Sequence, residues 1–166
     1  MPLYTDAERA RRDGTAWTLV QGILAPVQFV AFAVSLVLVL RYLGTGHGLQ
    51  AATASVLVKT GLLYTIMVTG AIWEKVVFGQ YLFARPFFWE DVFSMLVIAL
   101  HTAYVVALLT GGLDAREQLL LALAAYASYL VNAAQFLLKL RAARLQAERE
   151  RKSPASGLGM AAGAAK

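Results

Sequence analysis

The chain has 166 residues, 59% of them apolar, with no cysteine, two histidines and a net charge of +5. An ordinary soluble domain is about half apolar, so the excess, gathered into long runs, points to lipid as the solvent. The missing thiols exclude disulfides, thiolate metal sites, iron–sulfur clusters and cysteine nucleophiles, but say nothing about redox compartment.

In chain order, a polar opening carrying Arg9, Arg11 and Arg12 precedes the first apolar run. That run is too long for a signal peptide and lacks a small-residue cleavage site, so no cleavage is expected. A bilayer-crossing helix needs about 20 mostly apolar residues. Four stretches meet that length, at roughly 17–42, 51–77, 88–110 and 116–140. Gly44 to Gly48, Gly79 to Pro86 and Thr110-Gly111-Gly112 separate them as turns. Pro26 should kink the first span and free the carbonyl of Gly22. Asp114 can cap the fourth, with Glu117 three residues on as in a capping box. The expected fold is therefore all-α: a polytopic membrane protein whose residues 1–145 form a four-transmembrane-helix bundle. Residues 146–166 read as a basic, then Ala- and Gly-rich cytoplasmic tail, disordered at its end.

Ten of the fifteen Lys and Arg residues lie near the termini, and Lys75 and Arg85 flank the middle loop. The other two loops offer only Arg41 and Arg116. The positive-inside rule then places both termini and the middle loop in the cytoplasm, on a multi-pass inner or intracytoplasmic membrane. No aromatic-basic recognition pattern accompanies these charges, so nucleic acid is not an expected partner.

Each span carries one polar seam at helical spacing. These are Gln21, Gln28 and Ser35; Lys59 and Glu74; Glu90, Ser94, His101 and Tyr104; and Ser128, Asn132, Gln135 and Lys139. Amides and hydroxyls between membrane helices often only hold helices together. Lys59, in the outer half, could equally snorkel to the interface. Trp17, Trp73, Trp89 and Tyr81 are spaced as an interfacial belt. The acids carry more. Glu74 ends one helix while Glu90 and Asp91 begin the next, so three carboxyls converge at one membrane edge, in the cytoplasmic half. Macrodipole stabilisation and a neutralising Lys75 account for part of this. Crowding in low dielectric should still leave one acid protonated, as a proton donor. His101 falls about 16 Å deeper, near the midplane.

Several chemistries lack their parts. One of the two histidines, His47, lies in a loop, so no facing pair exists for a bis-histidine haem. No repeated carboxylate–histidine pattern suits a di-metal site, and there is neither a nucleophile elbow nor a phosphate-binding glycine loop. Acid–base chemistry remains.

The same residues carry a family likeness. Met1-Pro2-Leu3-Tyr4-Thr5 leads into Trp17-Thr18-Leu19-Val20-Gln21-Gly22-Ile23-Leu24-Ala25-Pro26. Trp73-Glu74-Lys75-Val76-Val77-Phe78-Gly79, Phe88-Trp89-Glu90-Asp91-Val92-Phe93-Ser94-Met95, Leu100-His101-Thr102-Ala103-Tyr104 and Asn132-Ala133-Ala134-Gln135-Phe136-Leu137-Leu138-Lys139-Leu140 follow. Across about residues 1–145 the chain resembles the 3-vinyl bacteriochlorophyllide hydratase family. The resemblance implies addition of water to the 3-vinyl group of a chlorophyllide or bacteriochlorophyllide, giving a 1-hydroxyethyl group in bacteriochlorophyll synthesis. It implies no added cofactor, since magnesium arrives with the pigment.

On that reading Glu74, Glu90, Asp91 and His101 are the candidate catalytic residues, Glu74 or Glu90 giving the proton. A second acid or His101 would hold the attacking water. Gln28, Asn132 and Gln135 would orient water and pigment, and Lys75, Arg85 or Lys139 would meet the pigment's propionate. His101 could alternatively touch the magnesium axially. Membrane lipid is an expected partner. A macrocycle lying between protomers would make the chain a homo-oligomer, and other pigment-synthesis enzymes are candidate partners. Two rival classes stand beside this one: a four-span proton-coupled transporter, and a non-catalytic tetrapyrrole-binding assembly protein. The acids sit at one edge rather than at the midplane, which tells against the transporter.

Overall fold

A computed structural model describes residues 3–152, and the expected disordered end at 153–166 lies outside them. The described residues are all-helical, with five helices and no strand: α1 (Asp6–Gly14), α2 (Ala16–Thr45), α3 (Leu49–Phe78), α4 (Phe88–Thr110) and α5 (Ala115–Lys152). Four segments are long and apolar enough to cross a membrane: Ala16–Thr45, Leu49–Phe78, Phe88–Thr110 and Ala115–Leu145.

Local chemistry sets the boundaries. Thr5 caps α1 in a capping box, its N–H donating to Glu8 Oε2 at 2.7 Å and its hydroxyl accepting from the Glu8 N–H at 3.3 Å. The Thr5 N–H and hydroxyl hold the Glu8 carboxyl below its usual range. Helix α2 continues through Pro26. Gly79 ends α3 in the left-handed region at φ 87°, which favours glycine, and returns its N–H to Lys75 O at 3.0 Å. Asp114 accepts from the Arg116 and Glu117 N–H groups at 2.8 Å, while its own N–H donates to Glu117 Oε2 at 3.0 Å. Helix α5 then runs on into the basic segment as far as Lys152.

Two antiparallel hairpins, α2–α3 and α4–α5, pack most closely within themselves. Contacts of α2 with α5, and of α3 with α4, join them more thinly, and α1 lies against α3. Large apolar side chains point outward, among them Leu19, Val30, Val58, Leu109, Leu137 and Leu138. Lys59, His101, Ser35, Gln28, Glu74, Glu90 and Asp91 are buried instead. This inside-out distribution suits a hydrocarbon solvent, where polar groups must find partners within the protein.

Apolar packing fills both ends of the bundle. At the distal end, near the 46–48 and 111–114 turns, Phe32, Val39, Val56, Tyr104 and Tyr126 form one cluster. At the proximal end, where α1 and the α3–α4 loop lie, Tyr4, Val77 and Phe87 form another, with Trp73, Phe78 and Phe136. Trp73 therefore departs from the expected interfacial belt. Its ring packs 5.7 Å from those of Phe78 and Phe87, and its Nε1 donates to Thr18 Oγ1 at 2.9 Å. The exposed Trp89 and Tyr81 face outward.

Candidate active site

The last turn of α3 and the first of α4 meet at the proximal end. They bring Glu74, Glu90 and Asp91 together, only 5%, 6% and 4% exposed. The α3–α4 loop folds back over them. Glu74 Oε2 accepts from the Ala84 N–H at 3.1 Å, and Asp91 Oδ2 from the Phe83 N–H at 2.7 Å. Two consecutive amides thus serve two acids, an arrangement made by Phe83 itself. Its φ of 59° is unusual for a bulky residue, and it turns successive N–H groups toward one concavity. The carboxyls of Glu74 and Asp91 therefore lie side by side beneath the loop.

Glu90 stands apart from this pair. Its Oε2 lies 2.6 Å from Lys139 Nζ, which also donates to Pro86 O and sits 5.0 Å above the Phe87 ring. The expectation grouped Glu74 with Glu90 as alternative donors, whereas the geometry groups Glu74 with Asp91. Adjacent helical residues point about 100° apart, so Asp91 faces α3 while Glu90 faces α5.

Beyond the acids lies a level of amides. Asn132 Nδ2 donates to Ser94 Oγ at 2.8 Å, three positions past Asp91 on α4 and so about 4.5 Å farther into the bundle. The buried atoms Asn132 Oδ1, Gln135 Oε1 and both amide atoms of Gln28 have no partner among the described residues. Gln28 belongs to the same level. Ser35 Oγ and Tyr126 OH lie 2.6 Å apart, and the rings of Phe32 and Tyr129 are 5.1 Å apart. Continuing that antiparallel ladder sets Gln28 opposite Asn132 and Ala133. Nearer the proximal end, Gln21 Nε2 donates to Thr69 Oγ1 at 2.7 Å, a bond that ties α2 to α3.

Deeper still, Lys59 and His101 are both fully buried, with Lys59 Nζ 2.6 Å from His101 Nε2. Lys59 does not snorkel, because its ammonium lies 4.2 Å from the Tyr129 ring centroid and 5.3 Å from that of Tyr126. His101 Nδ1 meets Val97 O at 2.7 Å, so that nitrogen carries the ring proton and Nε2 accepts from Lys59. Both ring nitrogens are engaged, which leaves neither for a magnesium ion while Lys59 holds its place. His101 is ten positions past Asp91, about 15 Å from the acids along α4. Acid cluster and histidine are therefore separate polar centres.

The other two candidate cations, Lys75 and Arg85, lie on the surface. Lys75 does not neutralise a carboxylate, because it donates to Gly79 O at 2.7 Å and lies over the Tyr81 ring. Arg85 is exposed on the loop beside the acids. Sequence reasoning missed the Phe83 and Ala84 amides, for which no residue type gives a signal. It also missed the Lys59–His101 contact, although a lysine and a histidine on facing polar seams are a usable signal.

Chemically, the proximal site offers two buried carboxyls side by side, backbone donors that favour a carboxylate, and unpartnered amides one level deeper. Comparison with known proteins points to hydration of a vinyl group. The family model described as 2-vinyl bacteriochlorophyllide hydratase (BCHF) matches residues 4–142. A 2-vinyl bacteriochlorophyllide hydratase of Rhodobacter capsulatus is 72% identical over 148 residues, which cover 89% of this chain and 86% of the relative. One of Cereibacter sphaeroides is 71% identical over 149 residues, covering 88% and 91%. These descriptions number the vinyl-bearing carbon 2, against 3 in the family name given above. No solved structure matches. With matches of this extent, the chain belongs to the 2-vinyl bacteriochlorophyllide hydratase family.

Proposed function

We propose that this chain adds water to the peripheral vinyl group of a bacteriochlorophyllide, and that the Glu74–Asp91 carboxyl pair moves the protons. The observation that carries the mechanism is that pair, buried side by side under two loop amides, near unpartnered amides in the same bundle interior.

Glu74 gives its proton to the terminal vinyl carbon, whose new C–H bond takes the π electrons. The neighbouring carbon becomes cationic and conjugates with the macrocycle. The carboxylates of Asp91 and Glu90 stabilise that charge in a low-dielectric site. A water held by Asp91 forms the C–O bond and loses a proton to that carboxylate. The pair thus begins and ends with one proton, as reversible hydration requires. Glu90 is tied to Lys139 and acts by charge rather than as donor. Arg85, exposed beside the loop, is the cation best placed for a propionate at the wet edge, with Lys75 farther out. His101 takes no proton in this scheme. The metal arrives in the pigment, and no added cofactor is needed.

Both termini and the α3–α4 loop face the cytoplasm in this reading, which the Lys and Arg distribution supports. The experiment is turnover of the vinyl pigment by membranes containing the chain, in water enriched with heavy oxygen. One labelled oxygen in a hydroxyethyl product is expected. Pigment that binds but returns unchanged would contradict the activity.

A further inference from the structure

The amide level poses a question of its own. Asn132 Oδ1 and Gln135 Oε1 are buried acceptors without donors, and Gln28, only 2% exposed, has neither of its amide atoms paired. Asn132 is held by its bond to Ser94 Oγ, so its oxygen is aimed rather than free to swing. Unpaired amides in a membrane interior are costly and mark places where water or a ligand completes the bonding.

Two buried acceptors call for a hydrogen-bond donor. The edge of a chlorophyllide presents carbonyl oxygens, which accept. Its strong donor is a water bound axially to the magnesium, a hard cation that keeps water readily and acidifies it. We infer that the pigment sits here with its magnesium water-ligated, and that Asn132 Oδ1 and Gln135 Oε1 accept that water's hydrogens, with Gln28 lining the same level. This rests on the pigment-binding reading above.

Two further observations favour it. The competing imidazole ligand is occupied at both nitrogens, by Val97 O and Lys59 Nζ. The register also fits: Gln135 precedes Lys139, the partner of Glu90, by four residues, about 6 Å along α5. That spacing is comparable with the reach from the metal to a substituent on the ring's edge, so a vinyl group at Glu74 and a metal at the amide level are compatible. Acceptors on the axial water also push electron density toward the metal and ring, favouring a cationic carbon.

The test compares binding of the magnesium pigment, its zinc counterpart and its metal-free counterpart to the purified chain, read by pigment fluorescence. Resonance Raman bands of the bound ring report axial coordination. The wild type should bind both metallated pigments about tenfold or more tightly than the metal-free one. Asn132→Leu and Gln135→Leu should abolish that preference without weakening metal-free binding. Gln135→Glu, which keeps an acceptor, should retain it. His101→Leu should leave the coordination bands unchanged. Equal binding of all three pigments by the wild type overturns the inference alone, as does loss of the axial ligand in His101→Leu. Failure to bind any pigment overturns it together with the proposed function. If a leucine variant does not fold, the wild-type metal preference and Gln135→Glu decide.

Discussion

Glu74 and Asp91, from two different helices, are held by consecutive loop amides, Glu74 by the Ala84 N–H at 3.1 Å and Asp91 by the Phe83 N–H at 2.7 Å. The device depends on Phe83 adopting φ 59°, a strained value for a residue with a bulky side chain. Phe83→Gly keeps the N–H and relieves the strain, so its turnover should stay within about threefold of wild type. Phe83→Pro removes the donor and cannot adopt positive φ. Its turnover should fall by roughly 10²-fold, as expected when acid–base groups are misplaced. Steady-state rates by pigment chromatography distinguish the two variants.

Glu90 and Lys139 form a charge pair with side chains 8% and 26% exposed. Removing one partner strands the other, so Glu90→Gln or Lys139→Met should destabilise the protein by about 3 kcal/mol. The double variant should recover most of that loss, because neither charge is then left alone. Thermal denaturation in detergent measures all three. An additive double variant would show that the pair is not coupled.

The deeper cation follows the same logic without a carboxylate. Lys59 is held by His101 Nε2 and two tyrosine rings. His101→Leu removes its acceptor and should lower the melting temperature. Adding Lys59→Met should restore it, since methionine keeps most of the volume. Turnover in the double variant should fall far less than in a Glu74 variant. A loss as deep as that of Glu74→Gln would give the pair a direct role in the chemistry.

Topology is open to a clean test because the chain has no cysteine. A single cysteine at Gly112 should react with an impermeant thiol reagent from the periplasmic side of intact cells. One at Gln80 should react only after the membrane is opened. The reverse pattern would contradict the cytoplasmic placement of the α3–α4 loop.

Much of this was legible in the sequence, for physical reasons that can be named. Four apolar runs have the length a bilayer demands, and Asp114 with Glu117 spelled out the α5 cap that the hydrogen bonds close. The meeting of Glu74 with Glu90 and Asp91 followed from their positions at adjoining helix ends. Which acid faced which helix did not follow, because neighbouring residues diverge by about 100° and the rotation of α4 is set by packing. The Lys59–His101 contact does not follow from helical rise alone, because a long side chain spans the gap, and only the facing of the two polar seams points to it. Phe83's conformation has no signature in residue type.

The most direct test of the central claim is single-turnover conversion of bound vinyl pigment by Glu74→Gln and Asp91→Asn, with pigment affinity measured on the same samples. The carboxyl-pair account predicts rates lower by roughly 10²-fold or more, with affinity changed by less than about threefold. Wild-type rates in both variants, with pigment bound, would contradict it.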